Sequence, residues 1–362
     1  MAKQEYYTLT EIKKCKAKYN LIIGERSNGK TTAVLGEILK VHCESNYQEC
    51  GFYLRRFQED LKNAVQLTRN LVSLKWVEKY SHGEYNSIRY YRGEWNLVKI
   101  DTKTNEILKV NTNPMMYSGS INENERLKSR AFPNCTIICF DEFLTRGYYL
   151  PEEFILFQNV ISTIVRERDN LTIYMLGNTV NKYCPYFAEM GLNNVKNQKQ
   201  DTIDIYEYGK SELKVAVEYC KGIAKKSDVY FAFDNPRLAM ITKGSWEIDI
   251  YPHLPLKYTK KDKVFSAYLE FNGENFEIEL ILLDDNYFLY IHRKTTEIKE
   301  DTYPVYTNKV NPKYNYSSNI FKYKNKAEQL ITSLITQDKV FYQDNEVGEI
   351  IRNFLITQKK GI

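Results

Sequence analysis

Long apolar runs are missing from this chain of 362 residues. None approaches the roughly 20 residues that a membrane-spanning helix needs, and the opening stretch Met1–Tyr7 is polar and unlike a signal peptide. A membrane protein is therefore not expected, and the cytoplasm is the expected site of action. Paired cysteines are also missing. The seven present are an odd number and scattered, which suits a reducing compartment better than a disulfide framework. Cys43 and Cys50 lie near His42, but no second ligand pair follows at zinc-like spacing, so they read as ordinary thiols. A large charge of one sign is absent too: the net charge of +5 permits a polyanionic partner without demanding one. With 43% hydrophobic and 27% charged residues, the composition is that of a soluble globular protein long enough for two domains. Tyrosine is abundant, with 30 copies, many beside Lys or Asn, and reads as compositional drift rather than base stacking.

What is present begins at Leu21–Thr32. Gly24, Gly29, Lys30 and Thr31 fall on the spacing G-x-x-x-x-G-K-[ST], and the apolar run Tyr19–Ile23 ahead of them reads as a buried strand. A loop that wraps a triphosphate must aim successive backbone N–H groups inward, and glycine is needed where a Cβ would obstruct it. The loop Gly24, Glu25, Arg26, Ser27, Asn28, Gly29, Lys30, Thr31, Thr32 is thus expected to bind ATP. Lys30 would reach the β and γ phosphates and Thr31 would offer its hydroxyl to Mg²⁺, at the positive end of a helix expected over 30–41.

Further on, Cys50–Leu54 reads as a strand closed by Arg55 and Arg56, either solvated charges or phosphate contacts. Helical periodicity runs over 58–71, and residues 84–110 alternate as an inserted hairpin or small meander. Thr136–Phe140 is a second buried strand, tipped by Asp141 and Glu142. Asp141 would hold Mg²⁺ and Glu142 would polarise the attacking water. A helix over 151–165, started by Pro151, ends in Arg166-Glu167-Arg168. The strand Thr172–Leu176 follows, and Asn178 beyond its tip is either a γ-phosphate contact or a turn residue. From about residue 200 a charged helix over 207–224 and a proline-punctuated linker are expected. Strands over 264–270, 275–283 and 287–292, a Lys/Asn/Tyr-rich loop over 303–323, then helix, strand and helix complete the chain in the order of a ribonuclease-H-like domain.

These motifs resemble the DNA-packaging ATPases of phi-29-type tailed phages. The likeness is carried by Ile22–Thr31, Phe52–Phe57, Ala131–Phe143, Tyr149–Arg168, Asn178–Phe187 and Asp344–Val347. The resemblance implies an α/β P-loop ATPase of the additional-strand, catalytic-glutamate type over 1–200, a linker region with a helix over 201–262, and a vestigial ribonuclease-H-like nuclease domain over 263–362. It implies a homo-oligomeric ring, a pentamer, docked transiently on the portal of a procapsid and driving double-stranded DNA, possibly with a scaffold RNA. By the same resemblance Arg166 matches the arginine finger given to the neighbouring subunit, with Arg168 and Lys128 as alternatives, and Arg56 matches an arginine of the nucleotide site. Longer segments over 84–125 and 303–323 depart from the family.

Nuclease chemistry needs several carboxylates converging on two metal ions. The first C-terminal strand offers only Glu270, Asp284 and Asp285 sit in a turn, and Asp344 precedes the last helix, so the nuclease site reads as missing. A large terminase with a working nuclease and a portal-bound nucleotide protein with little hydrolysis are the competing readings. Lys128, Lys257–Lys263 and Lys322–Lys326 are candidate DNA contacts.

Overall fold

The computed structural model describes residues 6–145, 149–150, 152–179, 184–195, 197–209, 211–221, 251–271, 273–298 and 303–358. Pro151 and much of the expected linker lie outside them. Two compact units divide the chain.

The first is built on one mixed sheet. Its strands are β1 (Tyr19–Gly24), β2 (Cys50–Arg55), β3 (Ser87–Tyr91), β4 (Glu94–Ile100), β5 (Ile107–Val110), β6 (Met116–Ser120), β7 (Cys135–Asp141), β8 (Thr172–Asn178), β9 (Thr202–Glu207) and β10 (Lys214–Tyr219). They lie in the order β3-β4-β6-β2-β7-β8-β1-β10-β9, with β5 beside β4. Every neighbour pair from β6 to β10 is parallel. Strands buried on both faces must be apolar almost throughout, which is why β1, β2, β7 and β8 stood out in the sequence. Strand β8 separates the phosphate-loop strand β1 from the acidic strand β7, the additional strand of this P-loop class. Because ligands in such sheets gather at the carboxyl ends of the strands, the tips of β1, β7 and β8 define the working edge.

The helix Lys30–Glu44 packs its Val34, Leu35, Ile38 and Leu39 stripe on the sheet. Gly36 is where Trp76 comes closest: a Cβ there would lie 2.4 Å from Trp76 Cζ3. The helix Glu153–Val165 buries Phe157, Val160, Ile161 and Ile164.

Three expectations are corrected here. The helix expected over 207–224 is instead the hairpin β9–β10, whose strand β10 pairs in parallel with β1, Tyr19 opposite Val215. The sheet of the first unit therefore runs through Tyr219, well into the stretch assigned to the linker. Residues 58–71 form two short 3₁₀ turns and the start of a helix over Arg69–Ser73 rather than one helix. The inserted meander is present as β3–β5, and it extends the main sheet through β6.

The second unit has strands β11 (Lys263–Phe271), β12 (Glu274–Leu283), β13 (Asn286–Arg293), β14 (Val305–Thr307), β15 (Tyr316–Ser317) and β16 (Val340–Tyr342). Their order is β15-β14-β11-β12-β13-β16, with β11–β13 antiparallel and β14 and β15 parallel to β11. This is the ribonuclease-H-like arrangement, and its fourth and fifth strands come from the stretch read as a loop. One face is apolar: Phe271 meets Phe354 of the helix Asn345–Gln358 with ring centroids 5.4 Å apart. The opposite face carries Glu277 and Glu279 bridged by Lys263 Nζ at 3.0 and 2.9 Å, with His292 beside Glu279. Glu270 accepts a hydrogen bond from Tyr316, and Asp344 pairs with Arg293. Asp284 and Asp285 take positive φ in the turn joining β12 and β13.

Candidate active site

The loop after β1 returns sharply through left-handed backbone at Ser27 (φ 61°) and Gly29 (φ 95°). Gly24 is required for a different reason. A Cβ there would lie 2.9 Å from Cys220 Cβ, just beyond the tip of β10. The Lys30 ammonium is folded into the loop, donating to Glu25 O at 2.7 Å, Asn28 Oδ1 at 3.2 Å and Gly24 O at 3.3 Å. It also reaches Asn178 Oδ1 at 3.4 Å, because β1 and β8 pair with Gly24 directly opposite Asn178. A phosphate oxygen arriving at this point would take over a cation already aimed at the site.

Across the loop, Thr31 Oγ1 donates to Asp141 Oδ2 at 3.1 Å, and the Tyr53 hydroxyl donates to the same oxygen at 3.0 Å. Burial pushes the Asp141 carboxyl above its ordinary value and the Glu142 charge adds to this, while Arg55 and the two hydroxyl bonds pull it down. A half-buried carboxylate oxygen beside a threonine hydroxyl at a phosphate loop is the donor set that Mg²⁺ takes, so Thr31 and Asp141 fit that ion. Glu142 is more exposed and stands at φ 58°. Its carboxylate pairs with Arg55 Nη2 at 2.7 Å.

Arg26, Ser27, Asn28, Gly29, Lys30, Thr31 and Thr32 line one cavity of about 770 Å³ together with Asp141, Glu142 and Asn178. Gly24 and Glu25 meet the site through backbone carbonyls held by Lys30. The Glu25 side chain is itself buried.

Arg56 departs from expectation. Its guanidinium is buried beneath the acidic pair, bonding Glu153 Oε2 at 2.8 Å, Phe143 O at 2.7 Å and Glu142 O at 3.1 Å, with Tyr186 completing Glu153 at 2.9 Å. It braces the backbone of Glu142 and takes no place in the cavity lining. Arg55 is the member of the pair whose side chain meets the acidic tip, through Glu142 and the Tyr53 hydroxyl. The signal was available as parity: along β2 the residues alternate sides, so Arg55 shares a face with Tyr53, which points at Asp141. Tyr6, Asn70 and Trp76, also in the lining, carried no local sequence signal.

The three trans-cation candidates separate. Arg168 is spent on its own fold, donating to Ile164 O, Phe132 O and Cys135 O at 2.6, 2.9 and 3.0 Å. Lys128 is exposed and pairs with Glu125 at 2.6 Å. Arg166 is exposed at the end of the Glu153–Val165 helix, with a bond to Arg130 O at 3.1 Å. That helix runs back along the sheet, so Arg166 sits by the entry to β7. Arg168, two residues on, holds Cys135 O at the start of β7, and Asp141 is the last residue of that strand, about 20 Å along it at roughly 3.3 Å per residue.

Residues 109–233 match the family described as Podovirus DNA encapsidation protein (Gp16), a stretch that includes Asp141, Glu142 and Arg166. The chain is 38% identical over 176 residues to the DNA packaging protein of Bacillus phage B103, a match covering 48% of each. The chain thus spans about half the length of that relative. Among solved structures, the Phi-28 gp11 DNA packaging motor is similar at 17% identity and a TM-score of 0.60, covering 99% of both chains. The bacteriophage Phi-29 genome packaging motor assembly is similar at 17% identity and a TM-score of 0.56, covering 97% of this chain and 98% of that one. At these identities the two structures establish the fold, including the C-terminal one.

Proposed function

We propose that this chain is an ATP-hydrolysing motor subunit that drives double-stranded viral DNA into a procapsid. The observation that carries the reading is the convergence of Lys30, Thr31, Asp141, Glu142 and Asn178 on one cavity at the carboxyl edge of the sheet. The sequence likeness to DNA packaging proteins gives that cavity its context.

In this reading the loop N–H groups and Lys30 hold the triphosphate, and Thr31 and Asp141 would hold Mg²⁺, which when bound neutralises charge on the phosphates. Glu142 takes the proton of the attacking water once it is free of Arg55, and Asn178 hydrogen-bonds the terminal phosphoryl group. Arg166, too far from its own Asp141, stabilises the transition state at a neighbour's site, so hydrolysis depends on closure of the ring. The first unit is the ATPase domain. The second is a vestigial nuclease domain that grips DNA or the portal, and its lysine clusters contact phosphates without reading sequence. A pentameric ring docked on the portal in the host cytoplasm, with or without a scaffold RNA, is the assembly this implies.

The test is turnover of Glu142→Gln with DNA and procapsids present. The variant should bind ATP as the parent does and hydrolyse it at least 100-fold more slowly, in line with loss of a general base at about 10²–10⁴-fold. Unchanged turnover would remove Glu142 from the mechanism.

A further inference from the structure

The 51 basic and 46 acidic side chains of the chain leave a net charge of +5, and that surplus is gathered in one place. Residues 303–326 contain Lys309, Lys313, Lys322, Lys324 and Lys326 with no Asp, Glu or Arg among them, so the rest of the chain is balanced. The stretch includes β14 and β15 and ends on the first residue of the helix Lys326–Thr336. All five lysines are exposed.

The stretch is pinned to the sheet of the second unit. Val305 N–H donates to Asn315 O at 2.9 Å, Asn315 Nδ2 donates to Tyr303 O at 3.1 Å, and the Tyr316 hydroxyl donates to Glu270 Oε1 at 3.0 Å. Tyr314 is 87% exposed and so adds little to the core. Its ring instead carries the Lys324 ammonium 4.3 Å from the centroid, and Lys324 also donates to Tyr314 O. That contact joins the lysines ahead of β15 to those beyond it on one surface. The other lysine cluster of this unit, Lys257–Lys263, is different: Asp262 lies within it, and Lys263 is spent on Glu277 and Glu279.

A surface with one sign of charge suits a polyanion. The use of lysine without arginine separates two kinds of partner, because protein interfaces are depleted in lysine and enriched in arginine. Phosphates accept lysine as a point charge, with none of the geometric selection that an arginine fork brings. Tyrosine and asparagine, which interleave the lysines here, are neutral side chains that hydrogen-bond phosphate oxygens.

We propose that residues 309–326 grip the phosphate backbone of double-stranded DNA, with the lysines supplying the attraction and Tyr314 holding Lys324 in place. The proposal rests on the DNA-translocating reading above. It resolves the choice left there between DNA and the portal in favour of DNA, and between the two lysine clusters in favour of this one.

The experiment is fluorescence anisotropy of the full chain with a labelled DNA duplex of arbitrary sequence, and with an RNA duplex of equal length, across a range of salt concentrations. Each phosphate contact adds about 0.9 to the slope of log affinity against log salt. Lys322→Gln/Lys324→Gln/Lys326→Gln should therefore lower the slope by about 2 to 3, and Lys309→Gln/Lys313→Gln by about 1 to 2. Tyr314→Ala should weaken DNA about threefold with the slope unchanged, because it frees Lys324 without removing a charge. The control Lys257→Gln/Lys260→Gln/Lys261→Gln removes as much charge as the first variant and should leave the slope within about 0.5 of the parent. An equal fall in the control would overturn the proposal, since net charge alone would then govern binding. Loop variants that bind DNA as the parent does would also overturn it, leaving the DNA reading intact with its contacts elsewhere. So would loop-dependent binding confined to the RNA duplex. A parent protein with no affinity for DNA would remove the DNA reading itself, and this proposal with it.

Discussion

Replacing Arg56 by methionine separates a structural arginine from a phosphate-binding one. The Arg56 side chain is 5% exposed and its partner Glu153 is 0% exposed. The substitution removes the ion pair at 2.8 Å and the bonds to Phe143 O at 2.7 Å and Glu142 O at 3.1 Å. Breaking one side of a buried pair costs about 3–5 kcal/mol, because the remaining charge keeps its desolvation penalty without its partner. At about 2–4 °C per kcal/mol for a unit of this size, the melting midpoint should fall by roughly 6–20 °C. Circular dichroism melts of the full chain read this, and ATP titration of the folded variant should stay within about threefold of the parent. The double variant Arg56→Met/Glu153→Met should regain part of the loss, since an apolar pair of similar volume replaces a buried ionic one at little cost. A single variant that melts with the parent yet no longer binds ATP would refute the reasoning and return Arg56 to the nucleotide site.

Three further outcomes are expected. Subunits carrying Lys30→Ala and subunits carrying Arg166→Ala should each be nearly inactive alone, while confirmed mixed rings regain hydrolysis; mixed rings that stay inert would count against a trans-acting Arg166. Gly24→Ala should destabilise the loop and weaken ATP binding, because the new methyl meets Cys220 Cβ at 2.9 Å, and adding Cys220→Gly should restore part of that binding. Burial raises the Glu279 carboxyl, but His292, Tyr258 and Lys263 outweigh it and push its pKa down to about 2. Its folded value is thus below its unfolded one, so its contribution to stability is present above about pH 4.5 and is lost as the pH falls toward about 2. Glu279→Gln should flatten the acid limb of the melting midpoint against pH, and an unchanged limb would place the acid sensitivity elsewhere.

What could be read in the sequence follows from how each strand is buried. Strands β1, β2, β7 and β8 are central and covered on both faces, so each is a short apolar run, and the residues at their tips are legible as chemistry. Strand β6 escaped because Ser118, Gly119 and Ser120 look like a turn. They are buried, and a Cβ on Gly119 would lie 2.7 Å from Phe52 Cζ. Strand β10 was misread because its apolar cluster Val215–Val217 fits a helical stripe as well as a strand, and its pairing with Tyr19–Ile23 depends on contacts nearly 200 residues apart. The strands Val305–Thr307 and Tyr316–Ser317 are too short for any periodicity to show. At the site, the residues named from the loop and the acidic tip line one cavity, whereas Arg56 packs beneath Glu142 and strand alternation puts Arg55 on the face of Tyr53.

The Glu153–Val165 helix gives the first unit a direction. It carries Arg166 to the end of the sheet opposite the phosphate loop, so if Arg166 acts at a neighbour's site as proposed, one pole presents a socket and the other a plug. Two such bodies related by a twofold axis would bring like poles together and leave both sockets empty. Plug can meet socket only when copies follow one another in a single sense, and that head-to-tail rule produces either a closed circle or an endless filament, with the turn per copy deciding between them.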